Sequence, residues 1–148
     1  MKKPTVSIVI PNWNGVYLME KHLQGALDAA PEAQIIIADD VSGDGSVEYI
    51  RKNFPSVIVV EGTKREGFAA NVNRGVAKAT GDVVILLNTD VEPEKGFLQP
   101  LLSHFDDPEV FAVGCLEKSW ENGKTILRGR GLARWDRGFY VHSRGEVD

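Results

Sequence analysis

Apolar residues along this chain gather in short, nearly unbroken runs, and between the runs they recur every three or four positions. Unbroken runs rich in β-branched residues are the pattern of strands covered on both faces, as in a parallel sheet. Five such runs stand at residues 5–10 (TVSIVI), 35–40 (IIIADD), 57–60 (VIVV), 83–87 (VVILL) and 110–116 (VFAVGCL). Pro11 closes the first, because it has no N–H to give to a ladder. Helical spacing fills the gaps. Leu18, Leu23, Ala26 and Leu27 line one face between Val16 and Pro31. A second helix over Val47 to Phe54 has Ser42 or Asp44 to cap it and Pro55 to end it. A third, within residues 67–81, carries Phe68, Val72 and Val76 with Ala69 and Ala79, and residues 94–105 read as a helix begun or kinked near Pro100.

Strand and helix alternating in this way predict an α/β/α sandwich, Rossmann-like, on a mainly parallel sheet. The pattern breaks at Glu117. Residues 118–148 hold seven Lys or Arg against four acids, and Trp120, Trp135, Phe139 and Tyr140 lie among several glycines. No clear helix emerges, so residues 117–148 are expected to be irregular or partly disordered.

Composition narrows the function only by exclusion. At 148 residues, 43% apolar and 26% charged, the chain is one ordinary globular domain in length and content. A net charge of −4 argues against a chain-wide nucleic-acid footprint, so no nucleic-acid partner is expected. Cys115 is the one cysteine and sits in an apolar run, which reads as a small buried core residue and allows no internal disulfide. Lys2 and Lys3 precede too short an apolar run for a signal peptide or a membrane span, so a cytoplasmic location is expected, with room for a place at the inner membrane face.

The candidate chemistry stands at three strand ends: Pro11 and Asn12, Asp39 and Asp40, and Asn88 to Asp90. In a parallel sheet these ends face one crevice, where ligands of open α/β sheets bind. Carboxylates crowded there repel one another unless a cation or hydrogen-bond donors intervene, and hard divalent ions such as Mg²⁺ or Mn²⁺ suit such oxygens. Taken alone, Asp90 could equally cap a turn. Dinucleotide, P-loop, nucleophile-elbow and zinc-protease fingerprints are absent, and His22, His104 and His142 are scattered.

Four stretches in register, VSIVIPNWNG, IIIADDVSGDGS, REGFAANVNRG and GDVVILLNTDV, resemble the N-terminal half of the family-two inverting glycosyltransferases, over residues 5 to about 116. The resemblance implies the GT-A fold, a nucleotide-sugar donor, Mg²⁺ or Mn²⁺, and a glycan or lipid-linked acceptor. It also implies roles. Pro11 and Asn12 lie against the base, Asp40 accepts a hydrogen bond from it, and Asp39 supports the loop. The segment from Gly67 to Asn73, with Asn71 inside it, lies near the nucleotide. Asn88 and Asp90 stand in the D-x-D motif, Asn88 at the ribose and Asp90 on the metal that holds the diphosphate.

Two residues depart from the family pattern. Asn88 replaces the first Asp, as in members resembling rhamnosyltransferases, and its carbonyl can still accept from a hydroxyl. Arg65 stands where many relatives have Asn, and reads either as a change in the pocket or as a solvated loop charge. The family's general base comes later, near a helix start in a sequence ending E-D. Neither Asp136 nor Glu146 has that context, so no catalytic residue is assigned. The chain therefore reads as the donor-binding half of a longer enzyme, with self-association expected through the truncated face.

Two other readings compete. A receiver-like phosphoacceptor domain would cast Asp39, Asp40, Asp90 and Lys118 in its acidic and basic roles, but a full strand and helix precede the acidic pair here. A catalytically silent nucleotide-sugar-binding module would keep the same strand ends.

Overall fold

Alternation of buried strands and one-sided helices produces a sheet whose C-terminal edge is built by loops. The computed structural model describes residues 3–146, and the chain forms two units, Met1–Leu98 and Gln99–Asp148. In the first, β1 (Val6–Asn12), β2 (Gln34–Asp39), β3 (Ile58–Glu61) and β4 (Val83–Leu86) alternate with α1 (Val16–Ala29), α2 (Ser46–Asn53) and α3 (Phe68–Val76). The sheet order is β3-β2-β1-β4, and every neighbouring pair is parallel. The α/β, mainly parallel expectation is met.

Side chains alternate across a strand, so β1 and β2 each offer two apolar faces. Val9, Ile36 and Ala38 form a fully buried cluster on one face. Gly75 of α3 meets it so closely that an added Cβ would lie 2.5 Å from Val9 Cγ1. On the other face Ile10 meets Met19, His22, Leu23 and Ala26 of α1 around a small cavity. Helices therefore cover both faces of the sheet's centre, which is why its strands need no polar alternation.

Four expectations are corrected. The first strand continues through Pro11 to Asn12, pairing with Ala38 and Asp39. Leu87 N–H donates to Val9 O and Asp40 N–H to Asn12 O, so successive β1 residues face β4 and β2 in turn and Pro11 faces the β4 side. There β4 has already stopped pairing at Leu86, and the missing N–H costs no ladder bond. The VVILL strand, expected to be covered on both faces, is instead an edge. Val84 and Leu86 pair with Ser7 and Val9, α3 packs on β1 and β2, and Val84 and Leu86 are left 37% and 56% exposed.

The other two corrections fall in the second unit, where α4 (Leu98–Ser103) and a short 3₁₀ turn at His104–Asp106 come first. Residues 110–116 are not a strand: among the described residues no ladder partners them, and Cys115 is exposed rather than core. Glu117 onward is regular, not irregular. β5 (Glu117–Glu121), β6 (Lys124–Asp136) and β7 (Phe139–Glu146) form an antiparallel meander. Its hairpins turn on Asn122-Gly123, with φ of 50° and 76°, and on Arg137-Gly138, with φ of 50° and 84°. Two consecutive left-handed residues match the twist of antiparallel strands, and Asn-Gly is the strongest short-range signal for them. Among the described residues no helix is long and apolar enough to cross a membrane.

Candidate functional site

At the tip of β2 every oxygen of two adjacent carboxylates accepts at least one hydrogen bond from the residues around it. Asp39 is 1% exposed. Its Oδ1 accepts from Asn12 Nδ2 at 2.8 Å and Ser42 Oγ at 2.6 Å, and its Oδ2 from the Ser42 N–H at 2.9 Å. The reversal that brings Ser42 back needs Val41 at φ 62°, a left-handed conformation that β-branched residues rarely adopt. Asn12 is buried with it. Its Nδ2 also reaches Ser46 Oγ at 2.9 Å, while its Oδ1 has no partner within the protein.

The same loop ties α1 to α2. Asn14 N–H donates to Ser42 Oγ, and Asn14 Oδ1 accepts from Gly43 N–H at 2.9 Å. Asp44 accepts from the Val16 N–H at 2.8 Å and the Ser46 N–H at 3.1 Å. It thus satisfies a free N–H at the start of α1 as well as one at the start of α2, where a single cap on α2 was expected. Burial raises the Asp44 pKa, but the Val16 N–H and the Ser46 hydroxyl and N–H outweigh it and the net direction is down.

Asp40 is held differently. Its two oxygens accept from the Glu66 N–H at 3.0 Å and the Gly67 N–H at 2.8 Å. The Glu66 N–H is the chief cause of its lowered pKa; burial opposes, and the Gly67 N–H, Arg74 and Arg65 add to the lowering. Gly67, at φ 83° and ψ 178°, occupies a backbone region closed to residues with a Cβ. That lets its N–H turn back to Asp40 before α3 begins.

Asn71 completes the arrangement from α3. Its amide donates to Ala38 O at 2.6 Å and Asn12 O at 3.4 Å, and its carbonyl accepts from Arg74 at 3.0 Å. Arg74 also donates to Glu66 at 2.8 Å and Asp39 O at 3.3 Å. Its guanidinium lies on Gly62, where a Cβ would come within 2.7 Å of Nη1. Asn73 is exposed, about 200° around the helix from Asn71. The fold does not bring it to this cluster.

The tip of β4 is the opposite case. Asn88 and Asp90 are exposed, and neither side chain bonds another described residue. Among the described residues no three His, Cys, Asp or Glu converge to enclose an ion. One open carboxylate beside an amide oxygen is nevertheless a set that Mg²⁺ or Mn²⁺ accepts when phosphate and water fill the other positions. Nearby, His22 Nδ1 is buried and faces Glu92 Oε2 at 3.6 Å, beyond hydrogen-bonding distance.

The fold thus gathers Asn12, Asp39, Asp40, Gly67 and Asn71 into one network, sets half-buried Pro11 beside it, and leaves Asn88 and Asp90 at the neighbouring strand end. Ser42, Asp44, Ser46 and Arg74 belong to the network and were not singled out as site residues from sequence. The signal for three of them is the spacing of short polar side chains in VSGDGS, each able to bond a nearby backbone. Lys118, needed for the receiver-like reading, lies in β5 of the second unit.

The profile of Glycosyl transferase family 2 matches residues 7–145. Mouse (Mus musculus) polypeptide N-acetylgalactosaminyltransferase 10 is 34% identical over 110 residues, covering 67% of this chain and 18% of that protein. The GalNAc(5)-diNAcBac-PP-undecaprenol beta-1,3-glucosyltransferase of Campylobacter jejuni is 26% identical over 137 residues, covering 88% of this chain and 44% of that protein. Among solved structures, the mannosyltransferase PcManGT from Pyrobaculum calidifontis, in complex with GDP-Man and Mn²⁺, superposes with a TM-score of 0.71 at 26% identity, covering 80% of this chain and 37% of that one. The chain spans less than half the length of each of these relatives.

Proposed function

The chain belongs to Glycosyl transferase family 2, and from that premise we propose that it forms the donor-binding side of a metal-dependent glycosyltransferase using a nucleoside-diphosphate sugar. The observation that carries this reading is the pairing, on one edge of a parallel sheet, of a carboxylate fixed by backbone donors and a carboxylate left open. Asp40 is held ionised and oriented, as an acceptor for an N–H of the base must be. Asp90 and Asn88 stand free at the end of β4, with β1 between them and β2, Asp90 to hold a divalent ion and Asn88 to accept from a ribose hydroxyl. That ion would stabilise the charge that builds on the diphosphate as it leaves. The relative solved with GDP-Man and Mn²⁺ supports a nucleotide-sugar donor and a divalent ion.

Pro11 and Asn12 contribute backbone and shape at the base end, and Asp39, Asn71 and Arg74 keep that backbone in place. Transfer would proceed with inversion to a hydroxyl of a glycan or lipid-linked acceptor, on the cytoplasmic side. No residue of this chain is assigned as the general base.

Calorimetric titration of nucleoside diphosphates with and without Mn²⁺ tests the reading. Wild type is expected to bind more tightly with the ion, and Asp90→Ala to keep metal-free binding while losing that enhancement. Asp40→Ala is expected to lose about 10-fold or more in both conditions, as removal of a buried acceptor does. Equal metal enhancement in Asp90→Ala and wild type would overturn the metal assignment.

A further inference from the structure

Resting on the donor reading above, we propose that Arg65, held on the face of Trp13, is a specificity-determining residue that selects bases carrying a carbonyl oxygen beside a ring N–H: uracil, thymine or guanine, and not adenine or cytosine. The Arg65 guanidinium carbon lies 3.5 Å from the centre of the Trp13 ring. This contact joins the loop after β1 to the loop after β3, on the edge that carries Asp40. Trp13 is 48% exposed, so the stack sits at the surface of that edge rather than in the core.

The charges nearby are distributed in a way that leaves Arg65 available. Glu66, the acid next to it, is taken by Lys64 at 3.3 Å and Arg74 at 2.8 Å. Among the described residues Arg65 has no ion-pair partner, and its charge still reaches Asp40, where it helps to lower the pKa. A guanidinium stacked on an indole keeps its in-plane N–H groups free at the rim. Asp40 and Arg65 therefore offer an acceptor and a donor on the same edge of the sheet.

The chemistry of the bases decides what fits. An ionised carboxylate only accepts, so the base must point an N–H at it: N3–H of uracil or thymine, or N1–H of guanine. In each of these a carbonyl oxygen flanks that N–H and meets the guanidinium. Adenine N1 and cytosine N3 are acceptors, and either would face the carboxylate lone pair to lone pair. Trp13 acts as a positioning residue, since it holds the guanidinium in one place instead of leaving it to sweep through solvent.

The test is titration of UDP, GDP, CDP and ADP, without metal, against wild type, Arg65→Ala, Arg65→Lys, Trp13→Ala and Asp40→Ala. Wild type is expected to prefer UDP and GDP. Arg65→Ala should weaken UDP and GDP by roughly 10-fold or more, in the range for a hydrogen bond to a charged donor, and leave CDP and ADP within about twofold. Trp13→Ala should give part of that loss, and Arg65→Lys should restore less than wild type because a lysine cannot stack. An unchanged base preference in Arg65→Ala, with Asp40→Ala still weakening UDP binding by about 10-fold or more, would overturn this inference and leave the donor reading intact. Failure of wild type to bind any nucleotide would overturn both.

Discussion

The ends of β2 and β4 carry the same residue type and use it in opposite ways. Asp39 and Asp40, at the end of β2, turn every oxygen toward N–H and O–H donors from the last residue of β1 and from the loops after β2 and β3. Asp90, three residues beyond Leu87, is exposed and spends none on such donors. A carboxylate surrounded by donors shapes the protein around it and is already ionised and oriented before any ligand arrives. An open carboxylate does nothing for the fold and keeps its affinity for something that is not protein. Donor binding as proposed uses both kinds, and only their hydrogen-bond partners tell them apart.

Stability should separate the two ends most sharply. Asp39→Ala takes the acceptor from both donors of Ser42 and one acceptor from Asn12 Nδ2 in a mostly buried place, and is expected to cost about 3 kcal/mol. Asp90→Ala is expected to stay within about 0.5 kcal/mol of wild type, like other exposed substitutions. Urea unfolding of the two variants checks this, and equal costs would end the comparison.

A smaller effect locates strain at the crowded end. Val41 holds φ 62° and is 46% exposed, so the positive φ gives it no compensating burial. Val41→Gly is expected to stabilise by roughly 1 kcal/mol, the relief of a strained φ less the entropy of an added glycine. Unchanged or lower stability would mean that Val41's side-chain contacts outweigh its backbone.

The smallest effect concerns pH. Asp40 and Asp44 are lowered from 3.8 and Glu66 from 4.5. A depressed pKa contributes stability that is present above the unfolded value and is lost as pH falls through the folded one. The loops at the end of β2 are therefore expected to loosen as pH falls from about 4.5 toward 3, with lower amide protection, relative to intrinsic exchange, at Val16, Glu66 and Gly67. Amides beside Asp90 serve as the control and should keep the same protection across this range.

Much of this was legible in the chain itself. Continuous β-branched runs name β1 and β2 because a strand covered on both faces needs no polar residue, and Val9, Ile36 and Ala38 answer with complete burial. The same rule misjudged β4, whose run is as apolar but whose place at the sheet edge leaves Val84 and Leu86 exposed. Residues 110–116 failed for a related reason: a strand is a relation between two segments, and an apolar run without a partner ladder stays irregular. The meander from Glu117 to Glu146 was announced locally by Asn122-Gly123 and passed over because its strands do not alternate cleanly.

Residue identity and spacing by themselves determined the parallel α/β class, the strand ends where chemistry gathers, and the family that those motifs share. Tertiary structure alone decided which carboxylates are partnered. Asp40 meets Glu66 and Gly67 across 26 and 27 residues, and Asn12 meets Asp39 across 27. Periodicity reports the neighbours a residue has within its own helix or strand, whereas a hydrogen bond between loops depends on where the strand order β3-β2-β1-β4 places their ends.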